Sequence, residues 1–291
     1  MMNHATTDGL FLRQQDGEFI DPLTSQQLRQ AMLGRRPFDP PCQAIAEAGV
    51  NLSLLHPPAN KQLPISAVIM AGGFGTRLRP LTDRIPKPLL PIRERPLMEW
   101  MVEQMRQLGI QQFYVTTHYM PEKIMEHFGD GQDFGIKITY VHEETPLGTA
   151  GALGLIEDLS QPLLVINGDI LTTLDFRAMW AFHCQYKAAL TMGVRQYEYQ
   201  VPYGVIDADG PYVRQMKEKP LHQILINAGV YLLQPSVLRY IPKGQRFDMT
   251  DLLDTLLNKG DPVVNFPIIE YWIDIGQPAD YAKAQKDFQN W

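Results

Sequence analysis

Residues 65–82 read Ile65-Ser66-Ala67-Val68-Ile69-Met70-Ala71-Gly72-Gly73-Phe74-Gly75-Thr76-Arg77-Leu78-Arg79-Pro80-Leu81-Thr82, and Pro86-Lys87-Pro88-Leu89 follows shortly after. The run Ile65 to Met70 is short and apolar and stops at glycines, the pattern of a buried strand entering a tight loop. Ala71, Gly72, Gly73 and Gly75 bring backbone N–H groups to a strand end with little side chain in the way, so phosphate oxygens can approach closely. Arg77 and Lys87 add positive charge within reach of the same loop. Two commoner phosphate loops are excluded. GxxxxGK[S/T] is absent, and the chain continues into Thr76, Arg77 and prolines instead of a helix carrying the third glycine of the dinucleotide fingerprint.

Downstream, the spacing of Leu97, Trp100, Met101, Met105 and Leu108 predicts a core-facing helix over Pro96–Leu108 that stops at Gly109. A strand at Phe113–Thr117, a helix at Pro121–Phe128, a strand at Ile136–Val141, a helix at Thr149–Leu159, a strand at Leu163–Ile166 and a helix at Phe176–Tyr186 follow. This alternation predicts an α/β fold: a doubly wound, mostly parallel, Rossmann-like sheet with helices on both faces and ligands beyond the C-terminal strand ends. Then Leu190–Arg195, Gly204–Asp207, Tyr212–Lys217 and Ile226–Leu233 read as an antiparallel extension, with Asp209-Gly210 as a hairpin turn. Asp248-Met249-Thr250-Asp251 caps a helix to about Asn258, and Gly260 ends it. The proline-rich residues 1–62 hold one helical pattern, Ser25–Leu33, and read as a small N-terminal appendage to a main domain at 63–291.

The 26 basic and 32 acidic residues leave a net charge of −6, which argues against a nucleic-acid or polybasic membrane partner. The acidic balance is uneven. Between Arg77 and Arg95 six basic residues face only Asp83 and Glu94, so a small phosphorylated ligand remains open. Cys42 and Cys184 form neither a CxxC pair nor a zinc cluster, and no secretory signal or spanning apolar run is visible, so the expected location is cytoplasmic.

Several collinear motifs resemble the sugar-1-phosphate nucleotidyltransferases. The signature G-G-x-G-T-R-L-x-P-x-T stands at Gly72–Thr82, and the lysine of P-K-P at Lys87. Glu144-Thr145-Pro146-Leu147-Gly148-Thr149-Ala150-Gly151 resembles the loop facing nucleobase and ribose, and Asn167-Gly168-Asp169 the strand end that holds Mg²⁺. Tyr203-Gly204, Glu218-Lys219-Pro220 and Asn227-Ala228-Gly229 resemble the sugar-phosphate site, and Trp272-Ile273-Asp274 the second metal aspartate. The resemblance implies catalytic roles for Arg77 and Lys87, and nucleotide contacts from Ala71, Gly72, Gly73, Gly75, Thr76, Glu144, Pro146, Gly148 and Thr149. It implies sugar-phosphate contacts from Gly204, Glu218, Lys219 and Asn227, Mg²⁺ ligation by Asp169 and Asp274, and a homo-oligomer.

The implied reaction suits these residue types. A sugar 1-phosphate oxygen is already anionic at pH 7, so its attack on the α-phosphorus of a nucleoside triphosphate needs positioning and charge neutralisation, with neither a general base nor an enzyme nucleophile. Asp16–Ile20 with Leu28–Met32 resembles the end of a CBS motif, as in one branch of the family; only half a pair fits, which points to a vestigial module. That branch favours guanylyl transfer to a mannose- or glucosamine-type hexose 1-phosphate. Thymidylyl or uridylyl transfer to glucose 1-phosphate is the alternative, and a non-catalytic nucleotide-sugar-binding regulatory subunit is the rival of another class. His142, His183 and His222 lack ligand spacing, and Trp100 and Met101 belong to the helical core stripe.

Overall fold

The computed structural model describes residues 62–157 and 159–288, with single positions at 25, 29, 32 and 33. The Ser25–Leu33 helix and the CBS-like run lie otherwise outside the described residues. The described chain falls into two compact units, one ending at Arg195 and resuming at Ile226, the other built on Gln196–Leu225.

In the larger unit the strands, in chain order, are β1 (Ser66–Met70), β2 (Pro91–Ile92), β3 (Arg95–Pro96), β4 (Gln112–Thr117), β5 (Lys137–His142), β6 (Leu163–Asn167) and β7 (Ile170–Thr172). After these, β8 (Leu190–Gln200) runs into the smaller unit, which holds β9 (Val205–Asp209) and β10 (Tyr212–Lys217), and β11 (Leu221–Leu233) returns; β12 (Val263–Pro267) and β13 (Trp272–Asp274) complete the set. Seven strands form one sheet in the order β12-β8-β11-β6-β1-β4-β5. The pairs β1/β4, β1/β6, β4/β5 and β12/β8 are parallel, whereas β11 runs antiparallel to β6. The expected mostly parallel sheet with antiparallel strands is what forms.

Helix α1 (Leu97–Gln107) connects β1 to β4, and α2 (Pro121–Phe128) connects β4 to β5. The chain then crosses back past β1 to reach β6. Right-handed crossovers in opposite directions place their connections on opposite faces and make the gap between β1 and β6 the topological switch point. Ala67, Val68 and Ile69 are all fully buried, and successive strand residues face opposite sides, so β1 is covered on both faces. α1 buries Leu97, Met98, Met101, Val102 and Met105. On one face Val68, Val165, Leu190, Tyr231 and Leu153 pack with Met249, Leu252 and Leu256 of the helix Met249–Lys259.

Three readings need correction, and two elements were not read. Thr149–Leu159 is no continuous helix: a four-residue α turn, α3 (Gly148–Gly151), passes into a 3-10 turn at Ala152–Leu155. Glycines at 148, 151 and 154 lower its helix propensity, and a Cβ on Gly151 would stand 2.8 Å from the Gln245 carbonyl. β8 and β11 extend well past the predicted Arg195 and Ile226 limits. β12 joins the sheet edge beside β8, and after α4 (Phe176–Gln185) and α5 (Met249–Lys259) comes a further helix, α6 (Pro278–Asp287). The hairpin reading holds, with Tyr212 opposite Asp209 and Gly210 at φ 55°. Among the described residues no helix is long and apolar enough to cross a membrane.

Leu252 is fully buried beneath the sheet. Leu252→Ala should destabilise the protein by about 2–5 kcal/mol, read from the shift of the urea midpoint at unchanged slope.

Candidate active site

A cavity of about 350 Å³ opens at the switch point, against the C-terminal ends of β1 and β6. Met70 pairs with Asn167 across that junction, and Gly168 N–H donates to the Met70 carbonyl at 2.9 Å. Ala71, Gly72, Gly73, Lys87, Pro146, Gly148, Thr149 and Asp169 from the sequence reading all line it. Gly73 has open space where a Cβ would stand. Gly75 is structural: at φ 63° it lets the loop fold back so that the buried Thr82 hydroxyl donates to its carbonyl at 2.8 Å. Gly75, Thr76 and Arg77 are not among the lining residues.

The charged centre is a carboxylate pair with two cations. Lys87 opens a 3-10 turn behind Pro86, is 9% exposed, and places Nζ 2.5 Å from Asp169 Oδ2. β13 pairs antiparallel with β7, setting Asp274 opposite Ile170, and Ile275 N–H donates to the Asp169 carbonyl at 2.9 Å. Two aspartates 105 positions apart in sequence are thereby brought together. Burial, reinforced by the Asp169 charge, pushes the Asp274 carboxyl up to about 6, while Lys87 and Arg77 act in the opposite sense. The Arg77 guanidinium lies against Gly276, 3.5 Å from where a Cβ would stand. Asp169 Oδ1 and Asp274 Oδ1 are buried without a hydrogen-bond partner. Orphaned carboxylate oxygens of this kind fit a divalent cation completed by phosphate and water oxygens. No group of three or more potential metal-ligating side chains converges among the described residues.

The opposite wall is a pinned turn. Gly148, at φ 80°, would place a Cβ 2.5 Å from Asp248 Oδ1. Thr149 N–H donates to that oxygen at 2.9 Å, and Met249 N–H donates to the Thr149 hydroxyl at 2.8 Å. Ala150 and Gly151 N–H both donate to the Phe247 carbonyl. The Thr149 hydroxyl thus joins the turn to the start of α5. Glu144 is exposed and does not line the cavity; its neighbour Glu143, 5% exposed, does. Glu143 Oε2 accepts the Leu147 N–H at 2.9 Å, and burial raises the carboxyl against that bond and the His118 charge.

The residues expected around a sugar phosphate divide between the units. In the larger one Asn227 is held within its own strand, donating to the Tyr231 hydroxyl at 2.6 Å and accepting the Gly229 N–H at 3.0 Å. In the smaller one a Cβ on Gly204 would stand 3.2 Å from Glu218 Oε2, and Lys219, at φ 44°, donates its N–H to the Tyr203 carbonyl at 3.2 Å. Gly204, Glu218 and Lys219 therefore cluster in that unit. Sequence reasoning passed over Glu143, Phe74, Asn167, Arg246 and Asp248, all of which line the cavity.

A Gly-lined cavity over a lysine-paired aspartate, at the switch point of a mostly parallel sheet, defines a class of ligand-binding α/β proteins. The chain belongs to the nucleotidyl transferase family, whose pattern matches residues 66–290. It is 34% identical over 241 residues to a UTP--glucose-1-phosphate uridylyltransferase of Synechocystis sp., covering 76% of this chain and 62% of that one. It is also 34% identical over 232 residues to a D-glycero-alpha-D-manno-heptose 1-phosphate guanylyltransferase of Aneurinibacillus thermoaerophilus, covering 78% of this chain and all of the relative. The first curated relatives it matches are longer proteins, of which it spans 62%. The structure of HddC from Yersinia pseudotuberculosis complexed with GMP-PN superposes with a TM-score of 0.59 at 28% identity, over 77% of this chain and 99% of that one.

The raised Asp274 carboxyl carries a sign. Its proton is held more tightly folded than unfolded, so the destabilisation it causes is absent below the unfolded value of 3.8, grows as pH rises and is complete above about 6. In chelator, Asp274→Asn should melt higher than the parent at pH 7.5, and the difference should fade as pH falls through about 6. An equal shift at every pH would remove Asp274 from this charge cluster.

Proposed function

We propose that the protein transfers a nucleotidyl group from a nucleoside triphosphate to a sugar 1-phosphate, releasing pyrophosphate. The observation that carries the reading is the Lys87–Asp169 pair at the floor of a glycine-lined cavity, with unpartnered oxygens of Asp169 and Asp274 beside it. Backbone N–H groups of the Ala71–Gly73 strand end receive the triphosphate. We assign Lys87 to neutralising charge on the α-phosphate, and Arg77, whose charge acts on Asp274, to neutralising the departing pyrophosphate. Asp169 and Asp274 are suited to hold Mg²⁺, which would supply charge neutralisation to the reacting phosphates. The sugar phosphate enters as an anion, so the protein's task is to orient it in line. Of the residues expected around it, Asn227 is the one we assign to it from the unit that holds the cavity.

Guanine nucleotide is the favoured donor and a manno-configured sugar 1-phosphate the favoured acceptor. Support comes from the heptose-specific guanylyltransferase that the chain covers end to end, and from the structural likeness to HddC with its guanine nucleotide analogue. The reaction is assigned to the cytosol, with the N-terminal CBS-like piece as a vestigial regulatory module.

Pyrophosphate release, measured with each nucleoside triphosphate, a panel of sugar 1-phosphates and Mg²⁺, tests the reading. GTP with mannose 1-phosphate or a manno-heptose 1-phosphate should turn over fastest. Tight binding of nucleotide sugar without turnover of any pair would mark a regulatory subunit instead. Arg77→Ala and Lys87→Ala should each lower kcat by about 10²-fold or more with the fold retained by circular dichroism; an unchanged kcat would remove that residue from the mechanism.

A further inference from the structure

Lys87 stands on a segment that is poor in anchors of its own. Pro86, Pro88 and Pro91 carry no N–H, and the Leu89 and Leu90 N–H groups are spent locally on the Pro86 and Lys87 carbonyls at 2.8 and 3.1 Å. What ties the far end of this segment down is a side chain from α6. Gln285 Nε2 donates to the Pro91 carbonyl at 2.6 Å, and the Arg93 N–H donates to Gln285 Oε1 at 3.0 Å. The same Nε2 also donates to the Tyr281 hydroxyl at 2.9 Å, which in turn donates to the Pro91 carbonyl at 2.6 Å. An amide that must give to a carbonyl and take from an N–H can sit only one way round, so Gln285 fixes where the strand passes as well as that it is held.

The helix that carries Gln285 also belongs to the Asp274 side of the site. α6 begins at Pro278, four positions after Asp274, and its end is bound back to the segment ahead of β13 by the Tyr271 hydroxyl, which donates to Asp287 Oδ2 at 3.0 Å. Phe288, which ends the helix, meets Trp100 edge-on at 5.3 Å, and the Trp100 indole N–H donates to the Ile92 carbonyl at 3.2 Å. Neither Tyr281 nor Gln285 lines the cavity, so any effect on the reaction passes through the segments they hold. Resting on the reading that Lys87 and Asp274 serve nucleotidyl transfer, we propose that Gln285 is a positioning residue: from α6 it registers the Lys87 segment against the strand that carries Asp274. In-line transfer is sensitive to this, because a displacement of about 1 Å at a reacting group can cost about 100-fold in rate.

The test is a double-mutant cycle on kcat for pyrophosphate release by the full-length protein, with Gln285→Ala, Lys87→Ala and the pair. Gln285→Ala should lower kcat per folded chain by about tenfold and leave KM for the triphosphate within about threefold. In the Lys87→Ala background the same substitution should change kcat by less than about twofold, because the group it positions is gone. Tyr281→Phe, which removes one hydroxyl, is put through the same cycle and decides if Gln285→Ala fails to fold; it should lower kcat by about threefold in the parent and leave Lys87→Ala unchanged. A merely structural Gln285 would lower the melting temperature with kcat per folded chain unchanged, or lower kcat by one factor in both backgrounds, and either result overturns the assignment while the transferase reading stands. A parent that turns over no pair of triphosphate and sugar 1-phosphate overturns the transferase reading, and this inference with it.

Discussion

The ion pair between Lys87 and Asp169 is the constraint around which the rest of the site is arranged. A lysine that is 9% exposed would carry a large desolvation cost alone, and the aspartate offsets it at 2.5 Å. Holding that pair requires two segments 82 positions apart to meet: the proline-flanked turn that delivers Lys87, and the end of β6 that delivers Asp169. The two-stranded β7/β13 ladder then brings Asp274 up to the same spot, and its carboxyl is raised by burial first and by the Asp169 charge second, against the opposing pull of Lys87 and Arg77. The protein thus holds two buried carboxylate oxygens, Asp169 Oδ1 and Asp274 Oδ1, that no hydrogen bond within the described residues satisfies.

Around this centre the remaining geometry divides the work. The loop after β1 is shaped by Gly75 and locked by Thr82, so its N–H groups are positioned before any ligand enters. The turn at Gly148 is held from outside by Phe247 and Asp248, which makes the start of α5 a support for the far wall of the cavity. Neither support depends on a long flexible side chain. A site organised this way suits a reaction that needs alignment and charge neutralisation in preference to proton transfer.

The central motif was legible because it is contiguous: strand, glycines, Arg77 and Lys87 lie within 23 residues, and the apolar period of β1 and α1 locates them on the fold. Asp274 was reached only through resemblance, since nothing local in Trp272–Asp274 signals that β7 will pair with it. Glu144 was chosen where Glu143 lines the cavity, because one residue past the end of β5 the alternation of faces no longer decides direction. Thr149 and Asp248 are 99 positions apart, and no periodicity in either segment predicts their contact. β12 escaped because Pro262 and Pro267 bracket it, an arrangement tolerated at the sheet edge where it sits. α6 did carry a readable start, Pro278 at its first position with Asp280 accepting the Gln277 N–H at 2.8 Å.

Direct in-line transfer, with no nucleophile supplied by the protein, is the claim on which these elements converge. The most direct measurement is the stereochemical course at the α-phosphorus, using a nucleoside triphosphate with a single α-phosphorothioate configuration and the preferred sugar 1-phosphate. One displacement predicts inversion in the nucleotide-sugar product. Retention would require two displacements through a covalent nucleotidyl-protein intermediate and would contradict the account.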